Sequence, residues 1–146
     1  MLSNNLNATT AVIVVLSGCH GIGCFGQTPA LPPDSIVNAA SYTSSVAAGS
    51  LASLFGANLS PAQEHASGPP YPTELAGVRV IIDGREAPLL FVSPQQINFQ
   101  VPSQTANRTV PVSVSRGGKS SEVRSVRIDQ AASGVFTQDG AQCGPG

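Results

Sequence analysis

Gln96, Asn98 and Gln100 recur at every second position of QINFQ, and they are the side chains here best placed to do chemistry. That spacing puts three primary amides on one face of a strand. Each amide offers two N–H donors and a carbonyl acceptor. A row of them suits the hydroxyls of a sugar, and it equally suits bonding to neighbouring strands. Both roles stay open from the residues alone.

Other chemistries lack their parts. A Ser/His/Asp hydrolase would depend on His65, the only histidine beyond residue 26, and no G-x-S-x-G elbow accompanies it. Paired carboxylates for glycoside cleavage would have to be Asp83 with Glu86, or Glu64 with Glu74. Asp83 precedes Gly84, where an aspartate serves turn geometry. Cys19 and Cys24 are spaced wrongly for a zinc knuckle, Cys143 stands apart, and no D-x-D cluster suits calcium. The expectation is no enzyme, no catalytic residue, no metal and no cofactor.

The amide row needs a strand to hold it, and residues 71–102 supply the setting. Val78, Val80 and Ile82 alternate with Arg79 and Ile81, the period of a strand with one buried face. Asp83-Gly84 fits a type I′ hairpin turn. A return strand over residues 86–92 follows, with Pro88 inside it belonging near an edge, a strand start or a bulge. Ser93-Pro94 interrupts it. Ile97, Phe99 and Val101 then point to the core, opposite the exposed amides.

The rest of the chain reads as further short strands. Residues 36–40 and 49–59 (GSLASLFGANL) are expected strands, with a helix over Leu51 to Phe55 the minority reading, followed by a polar loop over 60–73 that carries His65. Val110, Val112 and Val114 alternate, Arg116-Gly117-Gly118-Lys119 turns the chain, and residues 122–128 return with Val123 out of phase. Residues 131–136 would close the domain. About seven or eight short antiparallel strands separated by turns make an all-β sandwich the expected fold.

Residues 1–26 read as an export signal. Their apolar run AVIVVL is far too short to span a bilayer and suits a signal-peptide core, although no Lys or Arg precedes it. Two processing points compete. Residues 16–19 (LSGC) resemble a bacterial lipobox, with Cys19 lipidated, whereas cleavage after Gly26 would leave Gln27 first. In the lipidated form Cys24 is available to pair with Cys143. Residues 27–34 (QTPALPPD) form a proline-rich linker, 35–137 the domain, and 138–146 a disordered tail. A formal net charge of −1 implies no polyanionic partner, and two Tyr with no Trp argue against nucleic-acid stacking.

GSLASLFGANLS, LAGVRVIIDGREAPLLFVSPQQINFQVP and ASGVFT, in that order and spacing, resemble an uncharacterised immunoglobulin-like C-terminal domain of secreted acidobacterial proteins. That family is similar in turn to the IPT/TIG modules of surface proteins and receptors. The resemblance covers residues 36–140, and SPQQINFQVP is its most specific part. It implies an Ig-like β-sandwich, an exported address, and attachment at the end of longer proteins. It brings no catalytic residues. Similar proteins continue into β-rich sequence where this chain stops at Gly146, so a fragment or a truncated product is expected.

The functional expectation is a non-enzymatic module, exported or at the cell surface, acting in adhesion, spacing or protein–protein contact. The alternative is a carbohydrate-binding module using the amide row. Its partners would be proteins or polysaccharides at the cell surface, with no nucleic acid, and a membrane only through a lipid on Cys19.

Overall fold

Ile97 and Phe99 are fully buried while Gln96, Asn98 and Gln100 are half-buried, so QINFQ forms a strand with the alternation it predicts. The computed structural model describes residues 27–105 and 107–132. The leader with Cys19, residues 133–136 of the expected final strand over 131–136, and the tail lie outside the described residues.

The described strands are β1 (Ile36–Asn38), β2 (Val46–Ala47), β3 (Leu51–Phe55), β4 (Glu64–His65), β5 (Val78–Ile82), β6 (Arg85–Glu86), β7 (Leu89–Val92), β8 (Gln96–Gln100), β9 (Thr109–Arg116), β10 (Lys119–Ser120) and β11 (Arg124–Asp129). They make two sheets. Sheet A has the order β1-β3-β8-β7-β4, and sheet B has the order β2-β11-β9-β5-β6, with β10 pairing β9. This is the all-β sandwich expected from the alternation, and the immunoglobulin-like form that the resemblance implies.

Its core lies between the sheets. Leu54, Leu89, Ile97 and Phe99 enter from sheet A; Val78, Val80, Ile82, Val112, Val114 and Ile128 enter from sheet B. Each such side chain contributes roughly 1.5–3 kcal/mol through burial. Val123, out of phase in sequence, is 63% exposed and falls before β11 begins.

Three features differ from the sequence expectation. First, the return strand after Asp83-Gly84 is not continuous. Both turn residues have positive φ, 50° and 74°, and β6 pairs β5 for two residues. The chain then leaves sheet B at Ala87 and Pro88 and continues as β7 in sheet A, beside β8. Pro88 has no N–H for a ladder. The last bond on the sheet B side is Ala87 N–H to Val80 O at 2.9 Å, and Leu89 N–H already turns to Pro72 O at 2.7 Å. The hairpin therefore links the two sheets.

Second, there are eleven described strands where seven or eight were expected, and one pairing is parallel, β2 with β11. The additional strands β2, β4, β6 and β10 have two residues each, too short for any period to register. Third, Leu31 of the proline-rich stretch is buried in the core cluster, so packing begins before Ser35.

Candidate interaction face

The outer face of sheet A holds the amide row, and strand register fixes what lies around it. β8 is the central strand of the sheet. Across it runs one transverse row, Val37, Ser53, Asn98, Phe91 and His65, one residue from each of the five strands. Phe55 stands beside Gln96 and Leu51 beside Gln100. Ala52 and Leu54 point inward, so Leu51, Ser53 and Phe55 point outward with the amides.

The amides are tied down rather than fully exposed as expected; all three are half-buried. Asn98 Oδ1 accepts from Ser53 Oγ at 3.0 Å and from Gln96 Nε2 at 2.8 Å. Gln100 Nε2 donates to Gly49 O at 3.1 Å. A cross-strand hydroxyl and an i+2 neighbour thus consume the acceptor of the central amide. Among the described residues no hydrogen bond engages Asn98 Nδ2, Gln96 Oε1 or Gln100 Oε1, which leaves one amide nitrogen and two carbonyl oxygens wholly unused for an outside molecule.

Apolar groups flank the row. Val37, Leu51, Phe55 and Phe91 are all partly exposed, and His65 on edge strand β4 lies against Phe91 with ring centroids 4.6 Å apart and a 40° tilt. Beyond Phe55 the face continues into an open apolar groove formed with Ala30, Pro32, Ala57 and Gln95.

Charge is divided between the sheets. Arg79, Arg85, Arg116, Lys119, Arg124 and Arg127 lie on strands of sheet B, and Arg108 lies just before β9. Four of these arginines pair locally: Arg79 with Glu74 and Glu86, Arg108 with Asp83, Arg124 with Glu122, and Arg127 with Asp129. The hydrogen bonds that Arg79 donates to Glu74, then the charges of Glu74 and Glu86, raise the Arg79 guanidinium above its ordinary range. β1, β3, β7 and β8 carry no Asp, Glu, Lys or Arg; on the sheet A strands only Glu64, at the β4 edge, is a carboxylate.

Three of the four carboxylates weighed for catalysis, Asp83, Glu86 and Glu74, have local partners. Asp83 forms the hairpin turn and holds Arg108 at 2.8 Å, and Glu86 accepts from Thr73 at 3.0 Å. Among the described residues no cluster of three His, Cys, Asp or Glu is arranged to hold a metal. Sequence reasoning found the amides but missed Ser53 and the outward Leu51, Phe55 and Phe91. The usable signal was in LASLF, whose alternate positions Leu51 and Phe55 are apolar on both sides of a serine.

A two-sheet sandwich whose linking hairpin passes from one sheet to the other is an immunoglobulin-like module. A model of the IPT/TIG domain matches residues 35–127, and the chain belongs to that family. No curated protein matches it. A solved structure, an auxiliary nutrient binding protein from Bacteroides ovatus, is similar over 70% of this chain and 20% of that chain, at 18% identity and a TM-score of 0.43. The chain spans about a fifth of the length of that protein.

Proposed function

We propose that the chain is a non-enzymatic immunoglobulin-like module that acts outside the cell or on its surface, in adhesion or spacing, through protein–protein contact at the outer face of sheet A. One observation carries this reading: the face combines Leu51, Phe55 and Phe91 with amides and lacks charge on its four principal strands, while sheet B holds the arginines. Depletion of charge together with aromatic enrichment marks the buried centre of protein interfaces. A neutral face also leaves no ion to desolvate unpaired on association. Export rests on the leader at residues 1–26, with Cys19 as the lipid attachment point in the anchored form.

A second reading, carbohydrate recognition by Gln96, Asn98 and Gln100, is favoured by the amide nitrogen of Asn98 and the carbonyl oxygens of Gln96 and Gln100, which no hydrogen bond engages among the described residues. A panel of glycans and polysaccharides, presented to the chain and to its Gln96→Ala/Asn98→Ala/Gln100→Ala variant, separates the two. The protein-contact reading expects no glycan binding by either. Glycan binding that disappears in the folded variant would replace it with the second.

A further inference from the structure

The proline-rich stretch before β1 does more than connect. We infer that residues 28–32 form a rigid strap across one end of the sandwich, which fixes the direction in which the chain N-terminal to them leaves the domain. This goes beyond the interaction-face reading and does not depend on it.

The strap touches both sheets. On the sheet A side, Ala30 and Ala57 form an antiparallel bridge with both bonds made: Ala30 N–H to Ala57 O at 2.9 Å and Ala57 N–H to Ala30 O at 3.0 Å. On the sheet B side, Arg124 Nε of β11 donates to Leu31 O at 2.7 Å. Between these two ties the Leu31 side chain enters the core, 3% exposed. A mere linker would leave its backbone to water and its leucine outside.

Local sequence supports the arrangement. Pro29, Pro32 and Pro33 restrict φ, which lowers the entropy lost when the stretch is ordered. Asp34, at φ 56°, then turns the chain into β1. Gly56 is the position that lets the strap approach. A Cβ there would stand 2.4 Å from Ala30 O and 2.9 Å from Leu59 Cδ2, and neither the bridge nor the packed leucine could remain in place.

The opposite end of the fold carries the other described terminus. Asn38, at the far end of β1, donates from Nδ2 to Ala132 O at 3.4 Å. The described chain thus arrives over one end, where Phe55, Gly56 and Arg124 lie, and departs from the other. With the strap seated, the chain N-terminal to it is directed away from that end of the sandwich.

Backbone 15N relaxation on the full chain tests the strap. The expected order parameters of Thr28, Ala30 and Leu31 match those of β8, near the rigid value of about 0.85. In Gly56→Val the same amides are expected to fall below about 0.6 while β8 stays rigid. Arg124→Met, which keeps an unbranched stem of similar length but has no N–H to donate to Leu31 O, is expected to raise hydrogen exchange at Ala30 and Ala57 by tenfold or more. If Gly56→Val does not fold, Arg124→Met and the wild-type values decide. Strap amides below about 0.6 in the wild type, or no change at Ala30 and Ala57 in Arg124→Met, would overturn the inference.

Discussion

Ser53 on β3 donates its hydroxyl to Asn98 Oδ1 on β8 at 3.0 Å, from an outward position that is only 2% exposed. This bond ties the two middle strands of sheet A together on the face where recognition is proposed. A neutral hydrogen bond contributes about 1 kcal/mol net, and an orphaned buried partner costs more. A double-mutant cycle of Ser53→Ala and Asn98→Ala in urea unfolding is expected to give a coupling of about 0.5–1.5 kcal/mol. Additive losses would mean that the two side chains do not act together.

The hairpin that carries the chain from one sheet to the other depends on its turn. Gly84 sits at φ 74°, where a Cβ has free space but an unfavourable backbone. Gly84→Ala is expected to cost about 1–2 kcal/mol, seen as a lower urea midpoint at unchanged slope. Gly84→Asn, better suited to positive φ, should recover part of the loss.

Among the described residues, two buried hydroxyls, Ser35 Oγ and Thr105 Oγ1, have no hydrogen-bond partner. Burying an unpaired polar group costs about 1–3 kcal/mol. Ser35→Ala and Thr105→Val are therefore expected to leave the thermal midpoint unchanged or raise it. A fall in both would show that these hydroxyls are satisfied in solution.

Phe99 is among the largest fully buried side chains, and Val123 is 63% exposed. Phe99→Ala is expected to destabilise by about 3–5 kcal/mol, a large share of the stability of a domain this size. Val123→Ser is expected to fall within about 0.5 kcal/mol of wild type. Chemical denaturation of both variants distinguishes core from surface directly.

Much of this architecture was legible in the residues. Ile97 and Phe99, Val78 through Ile82, and Val110 through Val114 alternate because each strand has one face in the core, and a period of two survives in sequence. Asp83-Gly84 and Gly117-Gly118 announced their turns because few residues tolerate positive φ. The passage of the chain between sheets at Pro88 was not legible: a proline marks a ladder's interruption without saying where the chain goes next. The burial of Leu31 was hidden for a similar reason, since a lone leucine among prolines has no period. At the site, the spacing of Gln96, Asn98 and Gln100 revealed a shared face. That Asn98 spends its acceptor on Ser53, 45 residues away in sequence, follows from strand register, which periodicity does not encode.

The central claim, that the uncharged face of sheet A is the recognition surface, is tested most directly by placing a charge on it. Gln96→Lys and Gln100→Lys each put an ammonium on the sheet A face, and Ser125→Lys puts the same charge on the exposed outer face of sheet B. Each folded variant is titrated against the surface fraction of the cells that make the protein, before and after protease treatment of that fraction. The account predicts saturable, protease-sensitive binding that weakens at least tenfold in Gln96→Lys and Gln100→Lys and is unchanged in Ser125→Lys. Equal binding by all three variants, or loss confined to Ser125→Lys, would contradict it.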